Sequence, residues 1–482
     1  MTGTIQPQVR DTHEANAPVG RPIHETHPNR LLAVAQLHGV APPNRETISL
    51  LEIGCGDGEN LVPMAASYPR GRFVGIDLSA RRLADARALA GGAGTSNATF
   101  LEADVRAIPS QDRRYDVVVA HGFYSRVPPE VRDGMLRTIA LHLAPGGVAY
   151  VDYDLLPGGW IGRIGRDAMQ FHVRATADPA ERVARARAFV ALLAGAWREQ
   201  GGAAAAVALR FADEAGRDDG DILRDDLAQV NEPVYYSAFA SHAARHRLAI
   251  VADVDPGTRS HGSASAALRD RLAARDPIAR EQMLDFVHLR QGRRSLLVHA
   301  GCGNPGARDA RQVAAGLHFA ATMAYMRHRL AGGAAADPVG DLLAGRFPAS
   351  VPGEEIVDAL ASHGVAANAA QGRVLDAWAR GIADPYVDAL AVATRPSARP
   401  RAGAVARWQA AHRPLVTNLR HVSVRLADDL ARAILPLCDG TRSAADLAAA
   451  TRGAVPAAEA PQPQAAVERR LAQFASAALL EA

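Results

Sequence analysis

The sequence predicts an α/β fold in which helices cover both faces of a doubly wound, mainly parallel sheet, and two observations carry that prediction. Short apolar runs, most of them ending in an acid, alternate with stretches of helical periodicity, which brings polar strand ends to one edge of the sheet. The first run, Leu50-Leu-Glu-Ile53, passes straight into Gly54-Cys-Gly-Asp-Gly58. Glycines there permit backbone angles that a Cβ forbids, so the turn can press against a ligand at the mouth of the next helix.

The remaining elements follow in order. A helix is expected over 61–68, then a strand over Arg72-Phe-Val-Gly-Ile-Asp77 and a helix over 79–90. Thr99-Phe-Leu-Glu-Ala-Asp104-Val105 gives a third strand, and Tyr115 to Gly122, ending in His121-Gly122, a fourth. A helix over 129–143, a turn at Ala144-Pro-Gly-Gly147 and a strand from Val148 to Asp152 complete this part.

The polar groups at the strand ends select the ligand. Glu52, Asp57 and Glu59 around one helix N-terminus would repel a pyrophosphate but attract a sulfonium that also carries an ammonium group. S-adenosyl-L-methionine is the cofactor that fits. Asp77, roughly 20 residues past the glycines, is placed to accept both ribose hydroxyls, its alternative being a cap for the following helix. Asp104 suits the adenine amino group. The expected cofactor contacts are Glu52, Gly54, Cys55, Gly56, Gly58, Asp77, Leu78, Asp104, Val105 and His121.

Glu52-Ile-Gly-Cys-Gly-Asp-Gly58, Gly75-Ile-Asp-Leu-Ser79, Ala103-Asp104 and Leu143-Ala-Pro-Gly-Gly147 together resemble the successive motifs of class I S-adenosylmethionine-dependent methyltransferases. The resemblance covers roughly residues 45–155. It implies a Rossmann-like methyltransferase core whose last strands close one edge of the sheet, one of them antiparallel.

At 482 residues the chain is longer than one such core and has room for further modules. A net charge of +3 gives no basic field, so nucleic acid is an unlikely partner. There is no lysine anywhere, so no internal lysine can act as a base or be methylated. Cys55, Cys302 and Cys438 are far apart, with no C-x-x-C pair, which argues against a disulfide scaffold, a zinc cluster or iron–sulfur chemistry. No metal ligand set is expected. Without an apolar leader or a run of ~18 apolar residues, the expectation is a cytoplasmic protein that does not insert into membranes.

The divisions expected are an N-terminal segment with a helix through Leu37 (1–44), the core (45–154), a helical insertion on the substrate side (155–230), the remainder of the sheet (231–307), a helical middle region (308–394) and a winged-helix-like C-terminal domain (395–482). Pro28-Asn29-Arg30 could place a side chain over the cofactor, but reads first as a helix start. The sheet should be completed by strands over 248–254 and 295–300, and Gly301-Cys-Gly-Asn-Pro-Gly306 is a linker that imitates a nucleotide loop. The C-terminal tail mixes acids with arginines, which favours protein contact over DNA.

Across the whole chain, Thr26-His-Pro-Asn-Arg-Leu31, His121 to Pro129, Leu156-Pro-Gly-Gly-Trp160, Asn231-Glu-Pro-Val-Tyr-Tyr236 and Asp439-Gly-Thr-Arg442 are similar to bacterial methyltransferases with a methyltransferase regulatory domain, the rickettsial protein-lysine methyltransferases among them. That resemblance implies a protein lysine as acceptor. Where a Tyr-Asn pair would be expected, this chain has Tyr153-Asp154, whose carboxylate could serve another amine or act as a base. An amine must lose its proton before attack, which an apolar, aromatic-lined pocket favours. The candidate lining is Tyr124, Tyr153, Trp160, Tyr235 and Tyr236, with His121 or Asp154 as proton acceptor. The functions open at this point are a protein-lysine methyltransferase, a small-molecule methyltransferase and a non-catalytic cofactor-sensing regulator.

Overall fold

The structure, a computed structural model, describes residues 19–41, 43–108, 113–211, 217–254, 266–302, 309–333 and 337–482. At its centre lie β1 (Ser49–Ile53), β2 (Arg72–Asp77), β3 (Ala98–Glu102), β4 (Tyr115–Ala120), β5 (Leu143–Asp154), β6 (Leu248–Asp253) and β7 (Gly292–His299). They form one sheet in the order β3-β2-β1-β4-β5-β7-β6. The pairings from β3 to β5 are parallel, and β7 runs antiparallel between β5 and β6, as the resemblance implied. Strand order reverses between β1 and β4, so a crevice opens beyond their carboxyl ends.

Alternation along each strand divides the core into two layers. Leu50, Val117, Val119, Val148, Tyr150, Leu296 and Val298 face one side. Leu51, Ile53, Val118, Ala120, Ala149, Val151, Tyr153 and Leu297 face the other. Burial on both faces explains why these strands read as nearly continuous apolar runs. Helices Pro129–His142 and Tyr236–Arg245 cover the second side, through Met135, Leu136, Ile139, Phe239 and Ala243. The first is covered by helices Pro28–Leu37, Leu61–Ser67 and Ala80–Gly92 together with chain from much later in the sequence, including Ala314, Phe319, Val374 and Val405.

The middle region departs from a purely helical reading. Besides helices such as Gly353–Ser362 and Ala367–Ala379, it contains a small antiparallel sheet of β8 (His318–Ala321), β9 (Val351–Pro352) and β10 (Ala383–Tyr386). Strands this short, in alanine-rich sequence, carry no period-2 pattern. Asp384 of β10 accepts from Arg30 Nε (3.1 Å) and Nη2 (2.9 Å) and lies 3.0 Å from His24 Nε2. The Pro28-Asn29-Arg30 start thus anchors its helix to the middle sheet; His27 is its N-cap, and Asn29 exchanges hydrogen bonds with the Asp388 backbone at 3.1 and 2.8 Å.

The insertion folds as helices Gly159–Val173, Pro179–Gln200 and Gly202–Arg210 around a core of its own that includes Met169, Val183, Val190 and Phe211. Asp178 caps the second of these by accepting from Glu181 N at 2.7 Å, with proline in the first turn. The C-terminal domain combines the hairpin of β11 (Leu415–Thr417) and β12 (Ser423–Arg425) with helices Ala404–His412, Asp429–Ile434, Ala444–Ala450 and Pro463–Ser476. Ser443 and Asp446 close a capping box on its third helix.

The widest boundary shift, at the start of β5, has a clear reason. The helix expected through Leu143 stops at His142, because Leu143 is already extended, and the expected turn at 144–147 is absorbed into β5. Gly146, at φ +77°, and a register irregularity between Tyr115 and Val117 accommodate it. Of the 301–306 linker, Gly301 and Cys302 follow β7 directly, while 303–306 lie outside the described residues, as do residues 1–18. Among the described residues, no helix is long and apolar enough to cross a membrane.

Candidate active site

The glycine turn leaves β1 at the switch point. Gly54, Gly56 and Gly58 all have positive φ, at +73°, +53° and +74°. A Cβ at Gly58 would lie 2.9 Å from that of Ala86, so the turn packs directly on helix Ala80–Gly92. Asp77, at the end of β2, accepts from Gly56 N through Oδ2 and from Ser79 N through Oδ1, both at 2.9 Å. Its carboxylate therefore shapes the turn and also steadies the start of helix Ala80–Gly92, which Ser79 caps. Leu78 beside it is exposed, and Cys55 is buried.

Acids dominate this edge. Glu52 is buried and accepts from Asn60 Nδ2 at 2.7 Å, and burial pushes its pKa up to about 8. Burial likewise raises Glu59 to about 7, against the pull of Arg413, its ion-pair partner. Asp57 Oδ2 accepts from Gly20 N at 2.6 Å. Asp104 lies two residues beyond β3, where its side chain accepts from Arg106 N and is bound by that guanidinium at 2.7 and 3.1 Å, which lowers its pKa. Val105 is buried behind it.

Past β4, His121 Nδ1 stands 3.2 Å from Asp152 Oδ2 and 3.3 Å from the Tyr150 hydroxyl. Asp152 Oδ1 accepts from Gly122 N at 2.6 Å. Burial keeps the imidazole pKa below its ordinary value in spite of Asp152. Asp154 closes β5 with its backbone amide donating to Ser125 Oγ at 2.8 Å, and burial raises its carboxyl pKa against the influence of Arg126. Arg126 pairs with Asp225 at 2.7 Å, so the insertion reaches this edge through the π-helical turn Ile222–Asp226.

The aromatic candidates part company. Tyr124, Tyr153 and Tyr236 are buried. The Tyr153 hydroxyl meets Ser295 Oγ at 2.9 Å and its ring stacks on Phe239 at 3.9 Å; Tyr124 reaches His242 Nδ1 at 2.9 Å; Tyr236 lies under the Arg293 guanidinium at 4.2 Å. Trp160 is 53% exposed and borders a cavity of about 280 Å³ with Arg132, Leu156 and Glu232. Tyr235 is also exposed, beside Phe286. The structure thus gathers His121 and Asp154 near the glycine turn's edge of the sheet and distributes the aromatics between core and surface.

Sequence reasoning missed the chain that closes over the turn. Ile23 N donates to Asn60 Oδ1 at 2.8 Å. Glu25 pairs with Arg294 at 3.4 Å, and nearby cations hold its pKa down at about 2 in spite of burial. The C-terminal domain also arrives here: Gln409 Nε2 donates to Glu59 Oε2 at 2.7 Å, and His421 Nε2 lies 2.7 Å from Asn60 Oδ1. The stretch Thr26-His-Pro-Asn-Arg-Leu31, singled out in the sequence, borders this closure, whereas nothing local in 409–421 points to residue 59.

A parallel sheet with an antiparallel β7, a glycine turn at its switch point and an acid ending β2 define the methyltransferase fold. Residues 50–147 match the methyltransferase domain, 218–299 the predicted methyltransferase regulatory domain, and 398–479 the PKMT C-terminal winged helix domain. The chain thus joins a methyltransferase domain to a regulatory domain and a PKMT-type winged helix. Two uncharacterized proteins of Rickettsia prowazekii are similar to it. One is 31% identical over 280 residues, covering 58% of this chain and 51% of that protein; the other is 33% identical over 147 residues, covering 30% and 59%. The matched stretch thus spans only half to three-fifths of these relatives. In fold, the chain is similar to PKMT2 from Rickettsia typhi, solved in complex with AdoHcy, with TM-score 0.81, 20% identity and coverage of 96% of this chain and 99% of that one.

Proposed function

We infer that this chain is an S-adenosyl-L-methionine-dependent methyltransferase acting in the cytoplasm on a protein amine, most specifically a lysine side chain. The observation that carries the reading is the Asp77 carboxylate on the Gly56 amide, which holds a positive-φ turn open at the switch point of the sheet. The match of 398–479 to the PKMT winged helix supports the choice of acceptor.

The residues present fit the cofactor. Gly54, Gly56 and Gly58 offer a backbone cradle, Asp77 would hold the ribose, and Asp104 with Val105 would border the adenine. When bound, the cofactor supplies an electrophilic methyl on a sulfonium. The chain's task is to align an uncharged amine and shed its proton. With Nδ1 turned to the Tyr150 hydroxyl at 3.3 Å and the Asp152 carboxylate beside it, His121 has Nε2 left for the acceptor, and its depressed pKa keeps the imidazole neutral and able to accept that proton. Asp154, its pKa raised by burial, is the second acceptor.

The test is a labelled methyl group on the cofactor, given with the purified protein to a lysate of its host. Acid-precipitable, protease-sensitive label is expected; label confined to small molecules would overturn the acceptor assignment, and no incorporation would overturn the activity. The chain supplies a clean background, since it contains no lysine to label itself.

A further inference from the structure

We propose that Asp133, His242 and His246 form a binding site for a divalent transition-metal ion, zinc first among them. His242 and His246 stand one turn apart at the end of helix Tyr236–Arg245, and Asp133 faces them from helix Pro129–His142. One donor atom from each lies within 4.8 Å of the others. His242 Nε2 is 3.2 Å and His246 Nε2 2.8 Å from the same oxygen, Asp133 Oδ1. Zinc bonds of about 2.0 Å in tetrahedral array place donors about 3.3 Å apart, so Asp133 Oδ1 already stands near that spacing from both imidazoles. Two imidazoles and one carboxylate are a donor set that zinc and its neighbours prefer over magnesium or calcium.

The surroundings match a metal centre as well as the ligands do. His242 Nδ1 is 2.9 Å from the Tyr124 hydroxyl, the kind of outer partner that fixes ring orientation and tautomer in metal-bound histidines. Asp133 is about half exposed, and His246 borders a cavity of about 420 Å³ with Arg137, Arg247 and His299, which leaves an entry path and room for a further ligand. One ligand belongs to the methyltransferase domain and two to the regulatory domain. The ion would therefore clamp the two domains together, behind the aromatic cluster of Tyr124, Tyr153 and Phe239.

Zinc and cobalt titrations of the metal-stripped full chain test this, beside Asp133→Asn, at a half-exposed helix position, and His246→Ala, at the half-buried C-cap of its helix. The expected result is one more equivalent of tightly bound zinc in the parent than in either variant, a cobalt absorption band lost in both, and a zinc-dependent rise in Tm that only the parent shows. Circular dichroism without metal checks that the variants are folded, and the Asp133→Asn result stands should His246→Ala fail that check. Equal stoichiometry in parent and variants, or cobalt spectra that do not differ, would overturn the proposal.

Discussion

Gln409 of the C-terminal domain donates to Glu59, the residue immediately after the cofactor turn, at 2.7 Å. Arg413 from the same domain pairs with the other oxygen, and Gln409 is itself held by Thr417, which accepts from its Nε2 at 3.1 Å and donates its backbone N–H to Oε1 at 2.6 Å. A domain some 350 residues away in sequence thus holds one side of the site.

Arg413→Ala should therefore be felt at the turn as well as in the tail, costing about 2–3 kcal/mol because a buried carboxylate loses its charged partner. The cost should depend on pH. Glu59 titrates at about 7 in the fold against 4.5 ordinarily, so its share of stability is fully present below 4.5 and is lost as pH rises through 7. Removing Arg413 raises that pKa further, so denaturant unfolding should show a larger deficit at pH 8 than at pH 5. An equal deficit at both would contradict the burial assigned to Glu59.

Asp77→Ala should abolish measurable cofactor binding by calorimetry. Because both carboxylate oxygens also hold backbone amides, a modest loss of stability, about 1–2 kcal/mol, should accompany it. Unchanged affinity would remove Asp77 from the ribose.

Asp154→Asn keeps the shape of β5's last residue while removing its proton-accepting form. Turnover should fall at least tenfold while cofactor affinity stays within about twofold. Equal losses in both would place Asp154 in the cofactor site instead.

For Tyr153→Phe the outcome should be the reverse. Its hydroxyl is spent on Ser295 inside the core, so about 1 kcal/mol of stability should go and turnover should hardly change. A large drop in turnover would show that the hydroxyl reaches the acceptor.

The sheet was legible because its signals are local. A strand, a glycine turn and an acid at the next strand's end are written within about 30 residues, and both faces are buried, so apolar runs mark the strands. The β8–β10 sheet was not, because Val351-Pro352 and Ala383 to Tyr386 are too short to show a period. Tyr124, Tyr153 and Tyr236 illustrate a second limit: position in a motif does not tell which face of an element a ring takes, and the structure puts all three into the core. The His242/His246 pair was readable as two ligands one helical turn apart, but Asp133, more than 100 residues earlier, supplies the third and appears only with the fold.

The layer of core beneath Leu50, Val117 and Val148 is completed by Ala314, Phe319, Val374 and Val405. During synthesis the sheet emerges from the ribosome long before the last part of its cover does. Until the ribosome has passed residue 405, that flank is sheltered only by helices Pro28–Leu37, Leu61–Ser67 and Ala80–Gly92, and the apolar surface they leave stays open to water and to neighbouring nascent chains.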